Sequence, residues 1–383
     1  MRIYQKKKNK RYLMPEINNP KKSVLARILF VVNIVILAFL VISAYSPYFN
    51  PMGYPYLSNS GLAFPIFLLL NFLLAVFWLF TRQYRYHLIF WIVIIGIFPQ
   101  LKIYYPINFG QSQPESAIKV LSYNVMSFNN LQKDEKGKNK ILEYIAHQNA
   151  DVVCLQEYAE VQSSSKFITR SDVDNALSKY KYKRVTQVGA KNAHNKVALF
   201  SKYPILSEER IAYESQYNGS VAYRIRTEKD TLLVINNHFE SNKITQEDRA
   251  VYQKLLKLKE QENLIEDTKG LLHKIINASI IREKQAKAVA DYIDVAKEKT
   301  VLVCGDFNDS PLSRTNLILL RKELNDAYTY SGFGPGISYN RNLFYFRIDN
   351  ILISNNLQAY NCIVDNSIKE SDHYPIMCYF AYR

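Results

Sequence analysis

The first hundred or so positions carry a hydrophobic pattern that a water-soluble fold does not explain. Between Arg27 and Arg82 no position is charged, and such a chain has no polar face to keep wet. Two stretches within it match the thickness of a bilayer's hydrocarbon core at the helical rise: residues 28–45 and 61–80. The segment between them, SPYFNPMGYPYLSNS, is rich in Pro, Gly, Asn and Tyr, which break helix and suit an interfacial connection. A third apolar run covers 88–101. Lys102 snorkelling and Tyr104 and Tyr105 in the headgroup belt would extend it to a span over 88–105. Residues 28–105 therefore read as a transmembrane region behind a short segment, 1–27, and a cleaved signal peptide would leave the two further apolar runs unexplained.

From about residue 106 the pattern changes to short β-branched runs alternating with amphipathic stretches, the mark of an α/β domain over 106–383. Strands are predicted at 117–125, 151–157, 184–188, 196–201, 301–305, 347–354 and 374–382, with a hairpin formed by 221–226 and 231–236 about the polar turn 227–230. Helices are predicted at 139–148, 247–272, 282–297 and 314–324. The Lys- and Glu-rich stretch 243–269, with Leu255, Leu256, Leu258, Leu264 and Ile265 at roughly helical spacing, reads as a solvated two-faced helix.

Charge changes the picture at one end only. The formal net charge of +15 invites a nucleic-acid reading, yet residues 1–105 hold twelve Lys/Arg against the single acid Glu16, leaving +4 for everything that follows. Segment 1–27 is basic, the 46–60 connection is uncharged, and the next short loop contains Arg82 and Arg85. Because basic loops stay cytoplasmic, that alternation runs in, out, in. With a third span, everything after residue 106 lies outside the cytoplasm; a re-entrant third segment would leave it inside. Four Cys without a CxxC pair exclude a disulfide-dense scaffold and a structural zinc site. Cys154 and Cys304 read as small buried hydrophobes, while Cys362 and Cys378 could pair in an extracytoplasmic domain.

Chemistry-bearing residues gather where predicted strands end. DVVCLQE closes on Gln156 and Glu157, TLLVINNH on Asn237 and His238, and VLVCGDFN on Asp306 and Asn308, with Gly305 permitting close backbone approach. Asp349 opens one late strand, and Asp372 and His373 precede the last. Any one of these is a solvated loop residue by default. Together at neighbouring strand ends they can converge on one pocket. Glu157 and Asp372 are hard oxygen ligands suited to Mg²⁺ or Mn²⁺. Asp306 could activate a water fixed by Asn308, and His238 and His373 can donate to anionic oxygens. With no GxSxG elbow and no Gly-rich phosphate loop, metal-assisted attack of water on a phosphoester is the reaction that uses this inventory.

The segments LSYNV (Asn124), LQE (Glu157), NNHFES (His238), GDFND (Asp306, Asn308), RIDNIL (Asp349) and SDHYP (Asp372, His373), in this order from residue 121 onward, resemble the endonuclease/exonuclease/phosphatase family. The chain looks like a membrane-anchored, bacterial-type member. The resemblance implies a four-layer αββα sandwich and a divalent-metal phosphoesterase. It implies a metal held by Glu157 with Asn124 and Asp372 nearby, water activation by Asp306 positioned by Asn308, phosphate contacts from His238 and His373, and Asp349 orienting His373. One departure is Met126, where many nucleases of the family carry a second acid; it weakens the expectation of a second metal contact. Arg282 and Gln285, in REKQAKAV, are expected to be structural.

Substrate class is left open between nucleic acid and a lipid headgroup, with a catalytically silent binding module disfavoured by the complete residue set. KYKYKR at 179–184 is the single candidate nucleic-acid patch, with an exposed loop-to-strand segment the simpler interpretation. A bilayer tether favours a lipid by local concentration. Nothing in the pattern calls for an obligate protein partner. Specificity is expected from 243–281 and 331–346.

Overall fold

A computed structural model describes residues 24–190, 195–256, 264–341 and 346–383. The basic segment up to residue 23 and the centre of the Lys- and Glu-rich stretch, 257–263, lie outside the described residues.

The apolar region folds as helices packed on one another. Val24–Ala44 lies along Phe64–Phe80, and Tyr84–Gly96 packs on the latter. Two stretches, Ala26–Ala44 and Pro55–Phe80, are long and apolar enough to cross a membrane. The predicted third span is a broken helix that starts earlier, at Tyr84: Tyr84–Gly96 and Phe98–Tyr104 meet at 72°. Gly96 and Pro99 flank the break, Gly by its freedom and Pro by denying a backbone donor. Polar groups inside the bundle satisfy one another. Trp78 Nε1 donates to Asn33 Oδ1 (2.9 Å), and Asn71 Nδ2 to the Phe67 carbonyl (2.8 Å), as an apolar surround requires.

The rest is a sandwich of two six-stranded sheets. The first is ordered β11-β12-β1-β2-β4-β3 and the second β5-β6-β7-β8-β10-β9. Their members are β1 Ile118–Asn124, β2 Val152–Gln156, β3 Tyr182–Gln187, β4 Lys196–Ser201, β5 Ile205–Arg210, β6 Gly219–Arg226, β7 Thr231–His238, β8 Thr300–Asp306, β9 Leu324–Asp326, β10 Asp349–Ser354, β11 Leu357–Val364 and β12 Ile376–Tyr382. Strand alternation sorts the core into layers. Val152, Cys154, Leu302, Cys304 and Ile351 belong to the cluster between the sheets. Their neighbours Val153 and Leu155 pack outward with helices Lys140–Gln148 and Arg170–Ala176, while Val301, Val303 and Leu352 pack outward with Leu264–Val295 and Arg314–Leu320. The architecture is four-layered, helix on sheet on sheet on helix, as expected.

Several elements depart from the expected pattern. Strands β5, β9 and β11 and helix Arg170–Ala176 have no counterpart in it, and the separate helices expected at 247–272 and 282–297 are instead Gln246–Leu256 and one 32-residue helix, Leu264–Val295. Cys362 and Cys378 are both free and buried, so the pairing open to them in an extracytoplasmic domain is not formed.

The apolar helices dock on the sandwich through their first connection and their last turn. Ser46 Oγ donates to the Leu312 carbonyl (3.1 Å) and Asn59 Nδ2 to Ser279 Oγ (3.1 Å). A Cβ at Gly61 would meet the Leu312 carbonyl oxygen at 2.3 Å, so only glycine allows this approach. Arg347, fully buried, donates from Nη2 to the Ile103 carbonyl (3.0 Å) and to Asp326 Oδ2 (2.8 Å).

Candidate active site

Strand register brings the site together. β7 and β8 run parallel with His238 opposite Asp306, and β10 runs antiparallel to β8 with Asp349 opposite the same Asp306. Across the sandwich, parallel β1 and β2 pair Asn124 with Gln156, so Glu157 follows at the same level. Because β12 pairs with β1 at Ser122 and Ile376, His373 sits at the height of Asn124. Asn124, Gln156, His238, Asp306 and Asp349 share the alternation phase of the inter-sheet core residues below them. Their side chains therefore turn inward at one end of the sandwich. Just beneath, Gln156 Nε2 donates to Asn236 Oδ1 (2.6 Å) and Ser122 Oγ (3.2 Å), a buried polar layer that supports the site.

Three positions need unusual backbone. Gly305 has φ +128°, and a Cβ there would lie 2.0 Å from the Asn237 carbonyl oxygen; the expected close approach is real. Glu157 (φ 50°) and Asn308 (φ 52°) are left-handed without being glycine, strain of a kind that collects at functional sites. Met126 begins a run of positive φ that continues through Leu131, pinned by Asn139 Nδ2 on the Phe128 and Gln132 carbonyls (2.9 and 2.8 Å).

Asp306 is the hub. Its Oδ2 accepts from Asn124 Nδ2 (3.0 Å) and Asn308 Nδ2 (3.2 Å), and its Oδ1 from the Asn308 backbone N–H (2.9 Å). Asn124 Nδ2 also donates to Glu157 Oε1 (3.1 Å), while its Oδ1 accepts from the Met126 N–H. The amide thus bridges two carboxylates. His238 Nε2 lies 3.6 Å from Glu157 Oε1 and 3.8 Å from Asp306 Oδ2. His373 Nδ1 is 2.8 Å from Asp349 Oδ2; a carboxylate can only accept, so Nδ1 carries the proton and Nε2, 3.6 Å from Asp306 Oδ2, faces the hub. Asp372 is half-buried on the cleft wall.

The electrostatics separate these groups. Burial raises Asp306 to about 6, a rise that the nearby His373 and His238 and the Asn124 hydrogen bond restrain. Burial raises Glu157 too, opposed by Asn124 and His373. His238 is pushed down by burial and reads as neutral. For His373 burial acts downward as well, but the Asp349 and Asp306 carboxylates outweigh it and hold the ring well above its ordinary value, as an imidazolium.

Two groups of donors could take a cation. Asp306, Asp349 and His373 have ligand atoms within 4.8 Å of one another, but there Nδ1 of His373 is already committed to Asp349. Glu157 Oε1 and Asp306 Oδ2 share Asn124 and His238 as neighbours, and two such oxygens turned to one space suit a hard divalent ion. His238 Nδ1 and Asp349 Oδ1 are buried without a hydrogen-bond partner among the described residues, further sign that the site is built for something more than itself.

A model for the "Endonuclease/Exonuclease/phosphatase family" matches residues 121–373. The chain belongs to this family. It therefore has the fold of a family of phosphoester hydrolases, with an acidic cluster that could hold a metal ion. A second model, a domain of unknown function (DUF8431), matches 26–104. Solved structures similar to the chain include humanized D. rerio TDP2 (18% identity, 70% of this chain and 100% of that one, TM-score 0.47). Others are an endonuclease/exonuclease/phosphatase from Beutenbergia cavernae (16%, 70% and 72%, 0.49) and the human Nocturnin catalytic domain with bound sulfate (17%, 71% and 97%, 0.48). No curated protein matches the chain.

The cleft over the site, about 400 Å³, has walls that the motifs did not announce. Tyr339 packs edge-on against the His373 ring (centroids 5.2 Å apart), and Arg249 Nη2 is 3.3 Å from its hydroxyl. Lys243, Arg249, Tyr339 and Phe346 come from the two segments expected to carry specificity. Arg282 and Gln285 lace the loops together: Arg282 Nη1 donates to the Glu240 carbonyl (3.0 Å), its Nε to Asp309 Oδ2 (3.2 Å), and Gln285 Oε1 accepts from the Glu240 N–H (2.8 Å). From KYKYKR, Lys183 and Arg184 lie on edge strand β3 and pair with Asp174 and Glu208, outside the cleft lining.

Proposed function

We infer that this protein is a membrane-anchored, divalent-metal-dependent phosphoester hydrolase, a phosphodiesterase in the first instance. The observation that carries the reading is the convergence of Glu157, Asp306 and His373 from both sheets on one cleft, with His238 Nε2 within 3.8 Å of both carboxylates. Glu157, with Asp372 also lining the cleft, would hold Mg²⁺ or Mn²⁺, which when bound supplies positive charge to the phosphoryl oxygens. Asn124, expected as a ligand, instead turns its Nδ2 to Glu157 and Asp306 and gives its Oδ1 to the Met126 N–H, so it positions the two carboxylates. Asp306, fixed by Asn308 and Asn124, accepts a proton from the attacking water. His373, held by Asp349, and neutral His238 donate hydrogen bonds where charge develops on phosphate. The oxygen of water bonds phosphorus and the ester P–O bond breaks. Its electron pair leaves on the alcohol oxygen, which takes up a proton, so one phosphodiester and one water give one alcohol and one phosphomonoester.

A nuclease reading finds little support around the cleft. Of the basic residues lining it, Arg282 is committed to Asp309 and Lys243 pairs with Glu240 (2.7 Å), which leaves Arg249, 3.3 Å from the Tyr339 hydroxyl, as a single guanidinium rather than a basic track for a long polyanion. The test is turnover of bis-(p-nitrophenyl) phosphate by the full chain in detergent with Mg²⁺ or Mn²⁺. Asp306→Ala and His373→Ala are each expected to lose on the order of 10²-fold or more in rate. Turnover that ignores the metal, or that both variants retain, refutes the reading.

A further inference from the structure

The catalytic cleft has an apolar wall that phosphoester chemistry does not need, and part of it comes from the apolar helices rather than the sandwich. Leu62, Ala63 and Ile66 line the cleft with Leu271 and Ile275, alongside Glu157, Asp306 and His373. Leu271 and Ile275 are one turn apart on Leu264–Val295, and Ile66 follows Leu62 and Ala63 at helical spacing, so each set presents one face. Ile66 is 49% exposed, and the positions three, four and seven residues on, Leu69, Leu70 and Leu73, are 58%, 40% and 54% exposed. An uninterrupted apolar stripe therefore leaves the cleft and runs along Phe64–Phe80, a helix that belongs to the spanning stretch Pro55–Phe80. If that stretch lies in a bilayer, the mouth of the cleft lies at its surface.

We propose that the substrate is a lipid phosphoester, its phosphate at Asp306, His238 and His373 and its hydrocarbon chain against Leu62, Ile66, Leu271 and Ile275. The apolar helix is then a substrate-selecting part of the active site as well as an anchor. The proposal rests on the hydrolase reading above, and the two fail differently. A soluble polyanion would leave this wall without a partner, whereas an alkyl chain buries it.

The test measures kcat/KM of the full chain in mixed micelles for p-nitrophenyl phosphodiesters carrying methyl, butyl or octyl groups, with an oligonucleotide and phospholipid vesicles as further arms. Each methylene moved from water into the cleft is expected to raise kcat/KM about fourfold, so even if only two of the seven added methylenes reach the apolar wall the octyl ester should exceed the methyl ester by about tenfold or more. Leu62→Asn/Ile66→Asn is expected to flatten the series to within about threefold and to slow vesicle hydrolysis by about tenfold. Leu271→Asn, on the opposite element, should flatten it independently, with the melting temperature reporting that each variant is folded. Metal-dependent turnover with a flat wild-type series, an unaltered slope in both variants, or a preference for the oligonucleotide overturns the lipid proposal and leaves the hydrolase reading standing. Absence of metal-dependent turnover for every ester overturns the hydrolase reading, and the lipid proposal with it.

Discussion

Asp306 is a carboxylate whose usefulness depends on losing a proton in a place that resists it. Burial lifts it to about 6, and a cation bound beside Glu157 would draw it down again. As a base it must be ionised, so activity falls as pH drops through its working value. With saturating metal the acid limb of kcat/KM is expected at or below about pH 6, and lowering the metal should move the limb upward. A pH–rate profile at two metal concentrations checks this; a profile that stays flat between about pH 4 and 7, or a limb indifferent to metal, contradicts it. Most residues around Asp306 are legible in the sequence because each ends or opens a β-type run in a polar side chain. Their partnership is not. That Asn124 gives its amide to two carboxylates, or that Tyr339 packs edge-on against His373, depends on strands and loops far apart in sequence. Glu157 and Asn308 also adopt left-handed backbone that no local pattern announces.

Among the strands, those that the hydrophobic pattern does not reveal share a location. β5, β9 and β11 are all sheet edges. An edge strand pairs on one side only and carries polar residues that discourage further pairing, so β5, ILSEER, lacks the continuous buried apolar run that marks the central strands β7 and β8. The long helix Leu264–Val295 looks like separate pieces in sequence because its apolar face changes partner along its length: Leu271 and Ile275 face the cleft, Ala286 and Val289 the sandwich. Arg347 shows how elements are tied. Its guanidinium takes both oxygens of Asp326 (3.2 and 2.8 Å), Asn350 Oδ1 (3.0 Å) and the Ile103 carbonyl (3.0 Å), joining β9, β10 and the last turn of the apolar helices. Removing one member of a buried pair strands the other, so Arg347→Met is expected to cost about 3–5 kcal/mol. Lys is not expected to rescue it, because one ammonium cannot replace a planar fork with three sets of partners. Thermal unfolding in detergent measures the loss; a variant that melts like wild type would show that the tie contributes nothing.

For the whole molecule, the decisive relation is which end of the helix bundle the sandwich occupies. It packs on the 46–63 connection through Ser46, Asn59 and Gly61, and it also receives the chain from Phe98–Tyr104 through Ile103. Those two points lie at one end of the bundle, whereas Arg82, on the turn after Phe64–Phe80, lies about 26 Å of helix away at the other. The broken pair Tyr84–Gly96 and Phe98–Tyr104 then returns the chain along the bundle, and if that pair counts as one span the expectation is three crossings. Basic residues bear on the side: Arg82 and Arg85 lie at the end of the bundle where Val24–Ala44 begins, with Phe30 stacked on Tyr86, the sequence before that helix is basic, and the 46–60 connection carries no charge. The catalytic domain is therefore expected outside the cytoplasm. All four native cysteines are buried and should stay silent to a membrane-impermeant thiol reagent, so single introduced cysteines can report position. Met52→Cys on the connection and Glu228→Cys on the exposed β6–β7 turn should label in intact cells, with Arg82→Cys labelling only after lysis. The reverse pattern would place the domain inside. Labelling of Met52→Cys and Glu228→Cys from opposite sides would break the packing argument itself, because the sandwich and the connection cannot touch through a bilayer.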